Sequence, residues 1–439
     1  MASGIVIAAP ASGNGKTVIT LGLLRAIRNA GIKVSSIKIG PDYIDAAYHF
    51  SASGELCRNI DLWGMRDETL AHQRVSAEGK NDFVIAEGVM GLFDGAPSGK
   101  SMNLGSTADA AKWLGWPVVL VVDAKGQGSS VTALVEGFLN YRADIEISGV
   151  IFNRVGSDNH ERILKEALSH TKLTCIGCIP QHDTLTLPNR HLGLIQAREI
   201  FDLDEWLNKA SELVRNHIDL DLLYKLARSS KRTATLKNYL PVPILGQHIA
   251  VACDNAFSFC YDYVLDAWRS RGVTVTFFSP VAGEAPHSRA DSIYLPGGYP
   301  ELYASEISAN QEFKEKMKIA AANEAVIYGE CGGFMVLGES LIDRNGKSHE
   351  MLDLLPIKTS FAKPKLNLGY RQLSLIDEGS LGKAGSSFKG HEFHYCNIVE
   401  NDRVKNLFDV RNSRGEKLPE MGSKRGSVMG SFSHIIDSV

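Results

Sequence analysis

Three features of the chain predict an α/β protein of two domains. Short apolar segments alternate with amphipathic helical patterns through the first half. A glycine-rich loop ending in Lys16-Thr17 follows the first apolar segment. A second series, later in the chain, runs into a cysteine enclosed by glycines, Tyr328-Gly329-Glu330-Cys331-Gly332-Gly333. Such alternation makes a largely parallel sheet with helices on both faces. At 439 residues the chain is also too long for a single core.

In the first half, strands are expected at Ile5–Ala9, Val34–Ile39, Phe83–Ala86, Val118–Val122, Gly149–Phe152 and Leu173–Ile179. Helices are expected at Val18–Ala30, Val131–Asn140 and Asn159–Ser169. The pattern breaks down after Leu226 into Arg228-Ser229-Ser230-Lys231-Arg232-Thr233-Ala234-Thr235 and then Pro241-Val242-Pro243. A polar, basic stretch with prolines reads as a linker. Residues 1–226 are therefore expected to form one domain, 227–245 the linker and 246–439 a second domain. The second series has strands at Ile249–Ala252, Thr274–Phe278, Ser292–Leu295 and Ala325–Tyr328, and a helix over Phe257–Arg271. A further helix starts at Phe334, and no internal repeat or low-complexity tract is present.

Composition narrows the class. The chain is 44% hydrophobic and 22% charged, as soluble globular proteins are. A net charge of -3 gives no electrostatic reason to bind nucleic acid or an anionic membrane. The most apolar strand, Val118–Val122, is far too short to span a bilayer. Met1-Ala2-Ser3 leads straight into the first strand, so no signal peptide is expected. Seven cysteines without regular spacing fit a reducing cytoplasm better than a disulfide framework. Cys175 and Cys178 have redox or metal-ligand spacing, but strand alternation sends them to opposite faces, so core packing is the expected role.

The loop Pro10-Ala11-Ser12-Gly13-Asn14-Gly15-Lys16-Thr17 stands between a strand and a helix, the context of a phosphate-binding loop. Backbone N–H groups at Gly13, Asn14 and Gly15 would cradle phosphate oxygens, Lys16 would neutralise charge, and the Thr17 hydroxyl would face Mg²⁺. Pro10 departs from the common pattern, which has glycine there. After the second strand, Lys38-Ile39-Gly40-Pro41-Asp42-Tyr43-Ile44-Asp45 is read as a loop holding two carboxylates near the strand end. After the third, Glu87 to Gly95 supplies Glu87 and Asp94 in the same way. Carboxylates beside a phosphate loop can hold Mg²⁺ during phosphoryl transfer. Asp94-Gly95 could equally be a turn, whereas glutamate has no turn preference. Asn153, at a later strand end, could read the nucleotide base or cap a turn.

A nucleophile at a sharp strand-to-helix turn needs small neighbours, and the turn aims backbone N–H groups at the space above the sulfur. Cys331 meets that description, although a buried cysteine in a glycine-rich turn would look the same. Leu295-Pro296-Gly297-Gly298-Tyr299-Pro300-Glu301 ends another strand, and its N–H groups, Gly298 among them, could complete an oxyanion hole with Gly332. The base such a cysteine needs could be His391, His394 or His434. On an extended segment His391 and His394 point to opposite faces, which argues against a metal pair.

Taken together, these residues resemble the ATP-dependent amidoligases of cobalamin biosynthesis, a dethiobiotin-synthetase-like domain fused to a class I glutamine amidotransferase domain of flavodoxin-like fold. The resemblance covers nearly the whole chain through Ala8–Thr17, Lys38–Asp45, Glu87–Gly95, Leu187–Leu194, Ala252–Tyr261, Pro296–Glu301, Gly329–Gly333, Gly390–Tyr395 and Gly430–His434. Within the family it is greatest to the hydrogenobyrinic and cobyrinic acid a,c-diamide synthases. It implies that Cys331 and His434 release ammonia from glutamine. It also implies that the first domain uses ATP and Mg²⁺ to activate the a and c carboxylates of hydrogenobyrinate, or of the cobalt-bearing cobyrinate. Thr17, Glu87 and Asp42 would hold the metal, and Lys38, Asp42, Asp45 and Asp94 would serve substrate activation. The implied partners are the corrinoid, glutamine and ATP; the oligomeric state is left open by the sequence, a homodimer being one expectation. Two departures stand out: Ile436 where most class I amidotransferases have a glutamate, and Ala46 where proline is expected. The rival from another class is a partition-type ATPase or nucleotide switch. Those often carry a second lysine at the position of Ala11 and have no use for a cysteine turn. An inactive regulatory second domain is a further reading, against which Cys331, Gly332 and His434 stand together.

Overall fold

Ile5, Val6, Ile7 and Ala8 are all buried, and a strand buried on both faces belongs at the centre of a sheet covered by helices. A computed structural model describes residues 2–98, 101–182, 186–190, 193–230, 239–401 and 405–439. The chain divides into two units. The first comprises Met1–Trp63, Leu70–Ala96 and Ser101–Lys237, and the second Gly64–Thr69, Pro97–Lys100 and Asn238–Val439.

In the first unit the strands are β1 (Ser3–Ala8), β2 (Val34–Ile39), β3 (Arg58–Ile60), β4 (Phe83–Glu87), β5 (Val118–Asp123), β6 (Ile147–Val155) and β7 (Thr174–Pro180). They lie in the order β3-β2-β4-β1-β5-β6-β7, all parallel. Helices α1 (Lys16–Asn29), α2 (Ile44–Ser53), α3 (Val131–Tyr141), α4 (Asp158–Leu168) and α5 (Leu203–His217) accompany it. Ile19, Leu23 and Ile27 of α1 join Ile5, Ile7, Ile85 and Val214 in the core. The carboxyl ends of β1, β2 and β4 adjoin, and that edge is where ligands bind in such sheets.

Three expectations are corrected here. Asp45 is not in a loop but in the first turn of α2, because the Asp42 Oδ1 accepts the N–H groups of Ile44 (2.8 Å) and Asp45 (3.0 Å) and starts the helix early. Cys175 and Cys178 do not diverge: their sulfurs lie 3.7 Å apart. The register slips where Val150 pairs with Cys175 and Ile151 with Gly177, and the extra residue of a bulge restores both side chains to one face. In the second half, the expected helix Phe257–Arg271 shrinks to Asp262–Ser270. Asp254 binds the N–H groups of Ala256 and Phe257, and Phe259 bridges to Gly297, so that stretch is extended. At the expected linker, Arg228 and Ser229 pair with Gly4 and Ser3, while 231–238 lie outside the described residues. So do His191 and Leu192 of the Leu187–Leu194 motif.

The second unit is built on β8 (His248–Ala252), β9 (Thr274–Phe278), β10 (Ser292–Leu295) and β11 (Val326–Glu330), with α6 (Asp262–Ser270) and α7 (Gly332–Leu337). An antiparallel sheet adds β12 (Asn367–Leu375), β13 (Ser387–His394), β14 (Phe408–Asn412) and β15 (Lys417–Met421). The remaining strands named here are β16 (Ser423–Arg425), β17 (Val428–Ser431) and β18 (His434–Ser438). The central sheet runs β9-β8-β10-β11-β17-β16, and the antiparallel one β15-β14-β12-β13-β18. The chain thus leaves the central sheet at the end of β17 and enters the other at His434. Among the described residues no helix is long and apolar enough to cross a membrane.

Candidate active sites

In the first unit, the loop after β1 turns on Gly13 (φ 81°) and Gly15 (φ 95°), both in the left-handed region that favours glycine. Gly15 is also required by space, since a Cβ there would stand 2.2 Å from the Asn153 side-chain nitrogen. Asn14 staples the loop: its side chain donates to the Ala11 carbonyl (3.0 Å) and accepts from the Asp123 N–H (3.0 Å). Asn153 donates to the Asn14 carbonyl at 2.8 Å, and Arg154 donates to that of Gly13 at 3.0 Å while pairing with Asp123. Asn153 is thus a brace of the loop. A cavity of about 380 Å³ beside it is lined by Gly15, Ile19, Asn153, Arg154, Pro180 and Leu213, a size that suits a small ligand.

The strand register assembles the charged residues. Glu87 pairs with Ile7 on one side and Lys38 on the other, so the ends of β1, β2 and β4 bring Glu87, Lys38 and Thr17 together. Glu87 is fully buried. Its Oε1 accepts from the Thr17 hydroxyl (2.6 Å) and from Lys38 Nζ (3.0 Å), and its Oε2 meets His49 Nε2 at 2.6 Å. Lys38 also pairs with Asp45 at 2.5 Å. Burial disfavours the Glu87 charge, but Lys38, His49 and Thr17 outweigh it and hold the carboxyl below the usual range. For His49 burial opposes protonation, yet the Cys57 sulfur and Glu87 push its pKa up to about 10. Burial and then Asp42 push Asp45 up to about 6, against the pull of Lys38. Lys16 Nζ donates to the carbonyl of Met90 (2.6 Å), and its pKa is lowered, chiefly by burial. Asp94 closes a turn by accepting from the Gly91 N–H at 2.9 Å. His49 escaped the sequence reading because α2 did; the early cap at Asp42 was the available sign.

In the second unit, Cys331 has φ 47° and ψ −103°, a strained position for any residue but glycine, between β11 and α7. Glu330 pairs with Ser431, and the Cys331 N–H donates to the Ser431 carbonyl at 2.8 Å. That pairing carries the chain, three residues later, to His434. A Cβ on Gly297 would stand 2.3 Å from His434 Cε1, 3.1 Å from its Nε2 and 3.2 Å from Cys331 Cβ, so glycine leaves open the space that the two flank. The Gly332 N–H faces the Cys331 sulfur, and a Cβ on Gly332 would stand 3.0 Å from the Gly298 nitrogen. The backbones of Gly332 and Gly298, the two residues expected to supply the oxyanion's N–H donors, are therefore packed closely together. Of the three histidines, His391 stacks on His434 with ring centroids 4.9 Å apart and binds the Tyr261 hydroxyl (3.2 Å). His394 is engaged by Glu392 and the Cys396 carbonyl.

Burial pushes the Cys331 thiol well above its usual pKa, with Glu301 adding to it and the Gly332 N–H opposing it. Burial, with His391 and His394, holds His434 well below the ordinary histidine value, so the ring is neutral. The sequence reading passed over Glu330. Tyr328 and Glu330 are two apart on β11 and share a face, and that spacing was its one available sign.

Phosphate-loop domain and cysteine site place the chain in a class: residues 5–195 match the CobQ/CobB/MinD/ParA nucleotide binding domain, and 248–438 the CobB/CobQ-like glutamine amidotransferase domain. The curated relatives narrow it. A hydrogenobyrinate a,c-diamide synthase of Brucella anthropi is 49% identical over 436 residues, covering 99% of this chain and 98% of that protein. Those of Brucella abortus and Rhizobium meliloti are 48% and 46% identical, each over 99% of this chain and over 98% and 99% of their own lengths. The chain belongs to the hydrogenobyrinate a,c-diamide synthase family.

Proposed function

We propose that this protein is a ligase that converts the a and c carboxylates of hydrogenobyrinate to amides, using ATP and the amide nitrogen of glutamine. One observation carries the reading: a chain alike over 99% of its length to a hydrogenobyrinate a,c-diamide synthase holds a phosphate loop and a cysteine–histidine site.

At the second site the Cys331 sulfur attacks the side-chain carbonyl carbon of glutamine. The thiol is buried and its pKa high, so the proton passes to neutral His434 as the C–S bond forms. The Gly298 and Gly332 N–H groups receive the developing oxyanion. His434 returns the proton to the leaving nitrogen, ammonia departs, and water hydrolyses the thioester to glutamate.

At the first site a corrinoid carboxylate takes the γ-phosphoryl group of ATP, ammonia attacks the acyl carbon, and phosphate leaves. A carboxylate would otherwise hold ammonia only as a salt. The loop N–H groups and Lys16 bind the phosphates, Lys38, Asp42 and Asp45 serve the acceptor side, and Asp94, expected there too, closes the turn at Gly91 instead. Thr17, Glu87 and Asp42 offer only oxygen, as a hard cation prefers, and among the described residues no three His, Cys, Asp or Glu side chains form a metal cage. Mg²⁺ carried on phosphates needs only one or two protein carboxylates, so these residues fit it. Bound there, it neutralises charge on the phosphoryl group.

Purified protein given hydrogenobyrinate, ATP and glutamine should yield the a,c-diamide. Lys16→Ala should yield none with either glutamine or ammonium, while still hydrolysing glutamine. Normal diamide formation by Lys16→Ala would remove the phosphate loop from the reaction.

A further inference from the structure

Glu330 is a buried carboxylic acid next to the nucleophile, and no step above uses it. Three donors fix it. Oε1 accepts from the Tyr328 hydroxyl (2.9 Å) and the Ile435 N–H (3.0 Å), and Oε2 accepts from the Tyr294 hydroxyl (2.7 Å). The Ile435 bond ties the carboxylate to the backbone beside His434. Tyr294 and Tyr328, register partners on β10 and β11, stack with centroids 5.8 Å apart and form a rigid platform for it. Oε2 lies 3.8 Å from His434 Nδ1, on the ring nitrogen other than the one that shares the Gly297 space with Cys331. Ile436, at the position where most class I amidotransferases have a glutamate, is fully buried and offers the ring no charge.

We propose that Glu330 is the positioning residue of His434: its carboxylate faces Nδ1, selects the tautomer that leaves Nε2 able to accept the Cys331 proton, and stabilises the imidazolium once formed. The residue preceding the nucleophile thus takes over the part played elsewhere by an acid two positions after the histidine. At 3.8 Å the pair is longer than a hydrogen bond, and such contacts tighten when charge develops. The inference rests on the amidotransferase reading.

The surroundings make its pH signature readable. Tyr294 and Tyr328 are buried with raised pKa values, as is Cys260 ahead of α6, and Cys331 titrates high. His434 titrates well below neutrality. Burial pushes Glu330 up to about 7, held back by the Ile435 N–H and the two tyrosines. Its carboxylate form is therefore lost as pH falls through neutrality, and glutamine hydrolysis should fall with it.

The test is the pH–rate profile of glutamine hydrolysis by the full-length protein and two variants. Glu330→Gln is expected to lower kcat by about a hundredfold to ten-thousandfold with KM little changed, and to erase the limb near neutrality. Tyr294→Phe keeps the carboxylate but removes a donor that favours its charge, so its limb should move to higher pH. It serves also if Glu330→Gln does not fold. Wild-type kcat in folded Glu330→Gln, or an unmoved limb in Tyr294→Phe, overturns the assignment. Absence of glutamine hydrolysis in the wild type would instead overturn the amidotransferase reading beneath it.

Discussion

Glu87 and Asp94 show how much a residue's role depends on what holds it. Glu87 ends β4 and Asp94 lies in the loop after it, yet Glu87 bonds Thr17, Lys38 and His49 while Asp94 bonds the Gly91 N–H and closes a turn. Glu87→Gln should therefore raise the Mg²⁺ requirement of synthesis and lower its rate by about tenfold to a hundredfold, as loss of a metal's supporting shell does. Asp94→Asn should change either by much less. A Mg²⁺ titration of both variants decides, and an unchanged requirement in Glu87→Gln withdraws it as a ligand. Cys331, Lys16 and Thr17 were legible because small neighbours and flanking elements mark them in sequence. Glu330 and His49 were not, since their partners come from strands and helices far along the chain.

At the level of elements, the parallel strands were readable because a run buried on both faces is nearly all apolar, as Ile5–Ala8 and Val118–Val122 are. Helix α2 was missed because its start depends on one side-chain cap, and the bulge at Cys175–Gly177 because it changes no residue type, only register. Most strands after Leu337 are short, mixed in polarity and half exposed, which blurs the period of two. The turn after β10 supplies a sharp test of how tightly elements crowd the cysteine site. Gly297 has no positive φ, so alanine suits its backbone, but the added Cβ would press on His434 Cε1 at 2.3 Å. Gly297→Ala should cut glutamine hydrolysis by about a hundredfold through displacement of the ring, with ammonium-dependent synthesis retained. Equal loss of both activities would contradict that.

For the whole molecule, the two units have separate cores, and the proposed reaction requires ammonia to pass from the second to the first. The class of each unit was legible from the phosphate loop and the cysteine turn. The corrinoid acceptor was implied by the motifs together, but whether its ring is metal-free was not, because nothing in the sequence reads the ring centre; hydrogenobyrinate rather than cobyrinate comes from the relatives. The division of labour is tested most directly by following nitrogen. Hydrogenobyrinate and ATP are supplied with glutamine labelled with ¹⁵N in its amide, together with unlabelled ammonium, and the product is weighed. Wild type should place ¹⁵N in both new amides, whereas Cys331→Ala should make the same diamide from unlabelled ammonium alone. Labelled product from Cys331→Ala, or no diamide from the folded variant even with ammonium in excess, would contradict the account.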